Sequence, residues 1–193
     1  MITIEKIYNE VKRFSHLGEK ITENKSHLIA NPYKDKPYFW LIALFSTISN
    51  DELLKLQAEL TVPDEYAKFL TQCCNGMHLF SGTLSLSGYR RNMLRTPSEM
   101  VQQPFDIRTP NLKERPKNSK NEYFYFGFYK YDGSKVYINT KDHCVYFCQR
   151  YDSTPLYKWD SFDTYLESEI KRLCSLMNND GEKINPDSST LPI

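Results

Sequence analysis

The stretch from Val62 to Tyr89, VPDEYAKFLTQCCNGMHLFSGTLSLSGY, decides the fold of this chain. Its first half carries side chains at i, i+3, i+4 and i+7, the spacing of one helix face: Tyr66, Phe69, Leu70 and Cys73. Pro63 suits the first turn, where its missing N–H costs nothing. Gly76 suits the end, because glycine readily adopts the left-handed conformation that follows a last turn. The second half predicts a β-hairpin around the turn Ser81-Gly82.

A second patterned stretch, from Glu122 to Arg150, predicts an antiparallel meander with turns at Asp132-Gly133 and at Lys141 to His143. Phenylalanine and tyrosine alternate from Tyr123 to Tyr129, so we expect each type on its own face of the sheet. The apolar face should carry the helices, since burying it excludes water from wholly apolar side chains. That face would comprise Phe124, Phe126, Phe128, Val136, Ile138, Val145 and Phe147.

Further helices are predicted on either side of these two stretches. An amphipathic pattern over Met1 to Ile21 indicates a first helix, and the apolar run Phe39 to Ile48 is interpreted as a buried helix. Ser49 with Glu52 has the spacing of a capping box. Ser161 should cap a last helix, on which apolar residues recur at helical spacing as far as Met177.

The order of these blocks resembles that of the SUKH superfamily. The resemblance lies in a helix that opens on Pro63-Asp64-Glu65-Tyr66, runs through Phe69-Leu70 and stops at Asn75-Gly76, and in the later blocks Phe126-Gly127 and Trp159-Asp160-Ser161-Phe162 with Tyr165-Leu166. Val62 stands where the family usually has leucine. The resemblance covers roughly Leu53 to Leu173, judged by block order. The superfamily includes bacterial toxin-immunity proteins and the yeast Smi/Knr regulator of cell-wall synthesis.

The expected fold is therefore α+β, with a SUKH-like antiparallel or mixed sheet and helices packed on it. Residues 1–50 would form an N-terminal helical extension that packs on the domain. Residues 51–177 would form the SUKH-like domain itself. Residues 178–193 are polar, with Asp180-Gly181 and Pro186, and predict a disordered tail.

Composition and charge exclude several classes of protein. The net charge of +1 gives no global field toward nucleic acid or an anionic membrane. The segment from Arg90 to Lys120 is locally basic, with eight Lys and Arg against three acids. That segment could be a solvated loop, could pair with an acidic partner protein, or could bind nucleic acid, although few aromatics interleave to stack bases. The run Phe39 to Ile48 is too short to span a bilayer.

The five cysteines include no CxxC pair, and the N-terminus lacks the apolar core of a signal peptide. We therefore expect a cytoplasmic protein with free thiols. Cys73, Cys74 and His78 could suggest a metal, but burial as small apolar residues is the better interpretation because zinc sites use paired ligands. His143 and Cys144 are adjacent at a strand end and point to different sides, so they cannot easily share a proton.

Phosphate-binding glycine loops, zinc-protease motifs and nucleophile elbows are absent from the sequence. We therefore predict no catalytic residue, no cofactor and no metal, and a protein that is not an enzyme. A hydrolase with a site built from distant residues remains a third hypothesis without positive support. The resemblance implies a binding protein, whose partner would be a cognate toxin domain or another protein. The resemblance leads to two hypotheses. The first is an immunity protein that neutralises a nuclease or deaminase toxin, and the alternative is a regulatory scaffold.

Tyrosines are the residues on which we base the predicted partner-binding site. Tyrosine supplies contact area together with a hydroxyl and is enriched in interfaces. The alternative, that the protein's own elements cover these rings, stays open at this stage. The predicted site comprises Tyr89, Arg90, Arg91, Tyr125, Tyr129, Tyr131, Asp132 and Tyr137.

Overall fold

A nine-stranded antiparallel sheet frames the protein, described by a computed structural model over residues 3–94 and 96–193. The strand order follows the sequence, so each strand pairs with the next one along the chain. The strands are β1 (Glu19–Ile21), β2 (His27–Ile29), β3 (Ile42–Leu44), β4 (Met77–Leu79), β5 (Leu84–Leu86), β6 (Tyr123–Tyr129), β7 (Lys135–Asn139), β8 (Val145–Cys148) and β9 (Tyr157–Trp159).

Helices cover one face of this sheet, which we call the inner face; the opposite face is the outer face. The helices are α1 (Ile4–Val11), α2 (Asn50–Gln57), α3 (Asp64–Lys68), α4 (Pro97–Met100) and α5 (Phe162–Ser175). Helices α1, α2, α3 and α5 contribute buried side chains to one core cluster with the inner face. The expected α+β class with an antiparallel sheet is thereby confirmed.

Helix α3 and the turn that follows it hold the centre of the core. The helix continues as a π-helical turn over Phe69–Cys73, and all four residues of the predicted stripe are buried. The Tyr66 ring lies 5.2 Å from the ring of Phe126 and 5.3 Å from that of Phe162, measured between centroids. Its hydroxyl donates to the Ser87 carbonyl, which ties α3 to the end of β5. The helical turn ends at Cys73, where Cys74 is extended, so Gly76 with φ +82° does not cap the helix as predicted and instead precedes β4.

The first and last helices of the chain pack against each other across the inner face. The Arg13 guanidinium, just after α1, donates to the carbonyls of Cys174 and Met177 at the end of α5; the second bond is 3.0 Å long. This contact joins the two ends of the fold although β1 and β9 lie at opposite edges of the sheet.

A β-bulge in β6 overturns the predicted alternation of phenylalanine and tyrosine. Tyr125 pairs with Tyr137, but the next pair is Gly127 with Val136, so Phe126 is an extra residue without a partner. An extra residue shifts every following side chain to the other face. Phe128 therefore lies on the outer face and Tyr129 on the inner face, the reverse of the prediction.

Glycine fits the bulge because no side chain could occupy position 127. A Cβ there would lie 2.8 Å from Leu86 Cδ2 and 2.9 Å from the Ser85 carbonyl oxygen. Both distances are shorter than carbon contacts normally allow. The bulge and the close approach of β5 thus require the same residue.

Two predictions for the N-terminal part are wrong. The first helix ends at Val11 and continues only as a 3-10 turn over Lys12–Leu17, because Gly18 adopts φ +120° and β1 follows. The run Phe39 to Ile48 contains strand β3 and no helix. Its side chains are buried on both faces of the sheet, and such a short, continuously apolar run does not distinguish a strand from a helix. Residues 1–50 therefore add strands to the sheet as well as a helix.

The expected disordered tail after Asn178 is instead an irregular segment that folds back on the body. The Thr190 carbonyl accepts a 2.8 Å hydrogen bond from Arg172, and Leu191 packs against the core. Gly181 lies against Leu41, so closely that a Cβ would come 2.1 Å from Leu41 Cδ1. The polar composition of this segment predicted disorder because it contains few apolar anchors, but these contacts suffice to place it.

Candidate functional site

The connection from β5 to β6 crosses the outer face and covers its tyrosine-rich end. Asn111 makes the backbone hydrogen bonds that a neighbouring strand would otherwise make there. Its Nδ2 donates to the Tyr125 carbonyl at 2.7 Å, and its Oδ1 accepts from the Tyr125 N–H at 2.9 Å. The Tyr125 hydroxyl bonds to Ser119 Oγ at 3.0 Å, and the Tyr137 hydroxyl donates to the Ser153 carbonyl at 3.0 Å. The protein's own loops thus satisfy both hydroxyls.

Three residues that were predicted to bind a partner therefore have a structural role instead. Tyr125, Tyr129 and Tyr137 each have no exposed area. Tyr125 and Tyr137 lie under the β5–β6 connection and the loop around Ser153, while the bulge places Tyr129 in the inner core. Burial raises the pKa of Tyr129 well above its usual value, so its hydroxyl stays protonated and donates to Glu169 at 2.6 Å.

The uncovered part of the outer face is a groove made of two adjoining cavities of about 770 and 560 Å³, which we call the outer groove. The larger cavity lies toward β3 and the smaller toward the β6–β7 turn. They adjoin at four residues that line both: Arg90, Phe105, Phe128 and Lys130.

Phe105 separates the two cavities. Its ring is 41% exposed and lies 5.1 Å from the Phe128 ring and 4.8 Å from the His78 ring, between centroids. The walls of the larger cavity beyond Phe105 are mostly apolar and aromatic, and include Tyr38 and Trp40. A surface of this kind suits contact with another apolar group.

His78 lies at the base of the larger cavity. Burial lowers the pKa of its imidazole to about 4, so the ring is neutral near pH 7. Its Nε2 has no hydrogen-bond partner among the residues that the structure describes. Within residues 3–94 and 96–193, no group of three or more His, Cys, Asp and Glu side chains is arranged to hold a metal ion.

Basic side chains line the groove where the cavities meet and beyond. The Arg90 guanidinium donates to the carbonyls of Asn92 and Leu94, and Lys130 Nζ is 3.4 Å from the Ser81 carbonyl oxygen. Lys135 lies deeper, where burial lowers its pKa. Arg150 completes the basic set of the smaller cavity.

Tyr131 and Asp132 lie at the rim of the smaller cavity, in the turn between β6 and β7. The Tyr131 side chain is 80% exposed. Asp132 shapes the turn, because its carboxylate accepts from the N–H and the hydroxyl of Ser134 at 2.8 and 2.5 Å. The structure therefore brings together Arg90, Tyr131 and Asp132 of the predicted site.

Tyr89 and Arg91 flank the groove and do not line it. The Arg108 guanidinium lies 5.3 Å from the centroid of the half-buried Tyr89 ring. Arg91 pairs with Glu52 on α2, with Nε 2.6 Å from Oε1. The hydrogen bond from Arg91 lowers the pKa of the Glu52 carboxyl. In the free protein Tyr89 and Arg91 hold the β5–β6 connection against its neighbours.

Several groove residues were not predicted from the sequence. Met93 and Phe105 are apolar side chains in the irregular β5–β6 connection, where no periodicity marks them, and Tyr38 and Trp40 lie at the start of the apolar run that was interpreted as a buried helix. Phe128 was assigned to the core because the bulge was not foreseen. A large apolar residue within the long β5–β6 connection is the signal that could have found Met93 and Phe105.

A sequence model for the SMI1 / KNR4 family (SUKH-1) matches residues 47–168, nearly two thirds of the chain. The match begins after β3, so β1 to β3 lie outside it although they belong to the same sheet. No curated protein and no solved structure matches the chain. None of the helices within the described residues is long and apolar enough to cross a membrane.

Proposed function

The chain belongs to the SMI1 / KNR4 family (SUKH-1), and from this membership we propose that it is an immunity protein. In this proposal it acts in the cytoplasm by binding a cognate bacterial toxin domain of the nuclease or deaminase class. Binding alone blocks the toxin, so the protein needs no catalysis of its own.

The observation that carries the proposal is the concentration of exposed apolar side chains around the outer groove. Tyr38, Met93, Phe105 and Tyr131 all line it, with 52%, 61%, 41% and 80% of their surfaces exposed. Exposed apolar patches rimmed by polar residues mark protein-binding sites. Aromatic and Arg side chains dominate binding hot spots, and the groove presents both.

The electrostatics of the rim also favour a protein partner. Arg90 and Lys130 lie near Asp132, so the surface offers charges of both signs beside apolar anchors. Charges at the edge of an interface mainly raise the association rate and select the partner. Part of the predicted site, Arg90 with Tyr131 and Asp132, thus enters the proposal together with Phe105 and Met93.

Co-expression with the product of the neighbouring reading frame tests the proposal. An immunity protein should co-purify with that product and should restore growth to cells that express it. Tyr131→Ala should weaken the complex by more than about 1 kcal/mol. Tyr157→Ala is the matched control, because Tyr157 is also exposed but lies on β9, away from the groove.

Two results would contradict the proposal. Equal affinity of the Tyr131 and Tyr157 variants, with folding checked by circular dichroism, would place the interface elsewhere. Recovery of several unrelated proteins without protection from the neighbouring product would favour the regulatory scaffold.

A further inference from the structure

The outer groove is chemically polarised along its length. The larger cavity is lined mostly by apolar and aromatic side chains, and its only charged residues among those described are Arg90 and Lys130. The smaller cavity adds Lys135 and Arg150. An occupant that spans both cavities therefore meets an apolar surface first and a basic one second.

The basic groups of the groove are largely uncompensated. Arg90, Lys130 and Lys135 bond to backbone carbonyls, and Arg150 lies over the Tyr151 ring at 5.0 Å. Over the described residues, no ion pair within 4.0 Å involves Arg90, Lys130, Lys135 or Arg150. The positive charge of Arg90, Lys130 and Arg150 is thus available to a ligand, whereas Lys135 is buried.

The acids that share the smaller cavity are partly engaged elsewhere. Asp106 pairs with Arg108, with Oδ1 2.9 Å from Nε, and Asp132 accepts two hydrogen bonds from Ser134. Glu114 is the third acid of the lining. Four basic groups therefore face one ion-paired carboxylate and two others, which leaves an excess of positive charge.

We infer that the outer groove takes an extended acidic segment of the partner protein, with a large apolar side chain beside its carboxylates. The apolar side chain fills the larger cavity against Phe105 and Trp40. The carboxylates lie over Lys130 and Arg150. This inference rests on the proposed function, because it assumes that the groove is the protein-binding surface and adds the chemistry of what enters it.

A peptide fits this lining better than a nucleic acid does. A single strand would need several aromatic faces in a row with phosphates between them. Here the exposed aromatic faces lie mostly in the larger cavity, whereas all three carboxylates lie in the smaller one, where they would repel phosphates. A segment with a few carboxylates can place each one on a basic group and avoid the acids.

Fluorescence anisotropy with labelled peptides tests the inference. The probe is an acetylated, amidated hexapeptide in which four glutamates surround a leucine-phenylalanine pair, and its counterpart replaces the glutamates by lysines. We expect the acidic peptide to bind at least about tenfold more tightly, with an affinity that falls as salt rises. Lys130→Glu and Phe105→Ala should each weaken it by about tenfold.

Lys55→Glu is the matched control, since it makes the same charge change at an exposed site on α2 outside the groove. Any of four results would overturn the inference. They are no binding of the acidic peptide up to about 1 mM, equal or tighter binding of the lysine peptide, equal or tighter binding of an oligothymidylate, and equal effects of the Lys130 and Lys55 variants.

Competition separates this inference from the proposed function. The acidic peptide should displace the neighbouring gene's product from the protein. If that product binds, and Tyr131→Ala weakens it while the peptide neither binds nor competes, the proposed function stands and the acidic-segment inference is wrong. If the product does not bind but the acidic peptide does, the toxin assignment is wrong while the groove chemistry stands.

Discussion

Two adjacent substitutions, Tyr129→Ala and Phe128→Ala, should differ sharply in their effect on stability. Strict alternation would place Phe128 in the core and Tyr129 on the other face. The bulge at Phe126-Gly127 reverses this, since Tyr129 has no exposed surface and Phe128 lines the groove. The pair therefore tests the bulge directly.

The magnitudes follow from burial and hydrogen bonding. Removing a fully buried aromatic side chain costs about 3–5 kcal/mol of unfolding free energy, including the cavity left behind. The loss of the Tyr129 hydroxyl also takes one donor from Glu169, which keeps its bonds from Arg172 at 2.9 and 2.7 Å. Phe128 is partly exposed and should cost roughly 1 kcal/mol.

Thermal and urea unfolding measure both effects. For a domain of this size, each kcal/mol lowers Tm by about 2–4 °C, so we expect a fall of about 10 °C for Tyr129→Ala and a few degrees for Phe128→Ala. Tyr129→Phe serves as the control for the ring and should cost only about 1 kcal/mol, because it removes the hydroxyl alone. Equal losses for the two alanine variants, or a larger loss for Phe128→Ala, would refute the bulge and the face assignment.

The remaining predictions concern three polar groups. Burial lowers the pKa of His78 from 6.5 to about 4, so between these pH values the unfolded chain binds a proton at this imidazole and the folded chain does not. The free energy of unfolding should therefore decrease as pH falls through this window, and urea titrations of His78→Phe should lack this decrease. Asn75→Ala should cost about 2 kcal/mol in urea unfolding, because the buried Asn75 amide bonds to both the N–H and the carbonyl of Tyr89; an unchanged midpoint would contradict this. Arg91 lowers the pKa of Glu52, so the pair stabilises the fold at pH values above the Glu52 pKa of the unfolded chain, and this stabilisation is lost as pH falls. Arg91→Ala should raise the Glu52 pKa in an NMR titration and lower the free energy of unfolding by at most about 1 kcal/mol near pH 7.

Local patterns were sufficient to predict the central elements. The spacing of Tyr66, Phe69, Leu70 and Cys73 predicted a helix over the span of α3 and its π-helical turn, although not the π-helical geometry, and the capping box at Ser49 is present with both of its hydrogen bonds. These features depend on residues within a few positions of one another. The hairpin around Ser81-Gly82 and the final helix have the same local origin.

Features that depend on distant neighbours were not predictable in this way. The bulge follows from how β5 approaches Gly127, and the strand in Phe39 to Ile48 follows from pairing with β2 and β4. The burial of Tyr125 requires Asn111 from a loop of irregular sequence. The groove exists only because that loop leaves part of the outer face uncovered, so its lining residues carry no common signal in the sequence.

The contact between α1 and α5 sets the order in which the chain can be completed during synthesis. Each strand of the meander can pair as soon as its neighbour emerges, because the two are adjacent in sequence. The contact of α1 with α5 must wait, since Arg13 donates to carbonyls 161 and 164 positions later, whereas Tyr8 can already stack on His27 of β2. A nascent chain halted after β9 therefore presents an assembled sheet whose first helix lacks its contact with α5. Such a surface is the kind of exposed apolar target that a ribosome-associated chaperone binds.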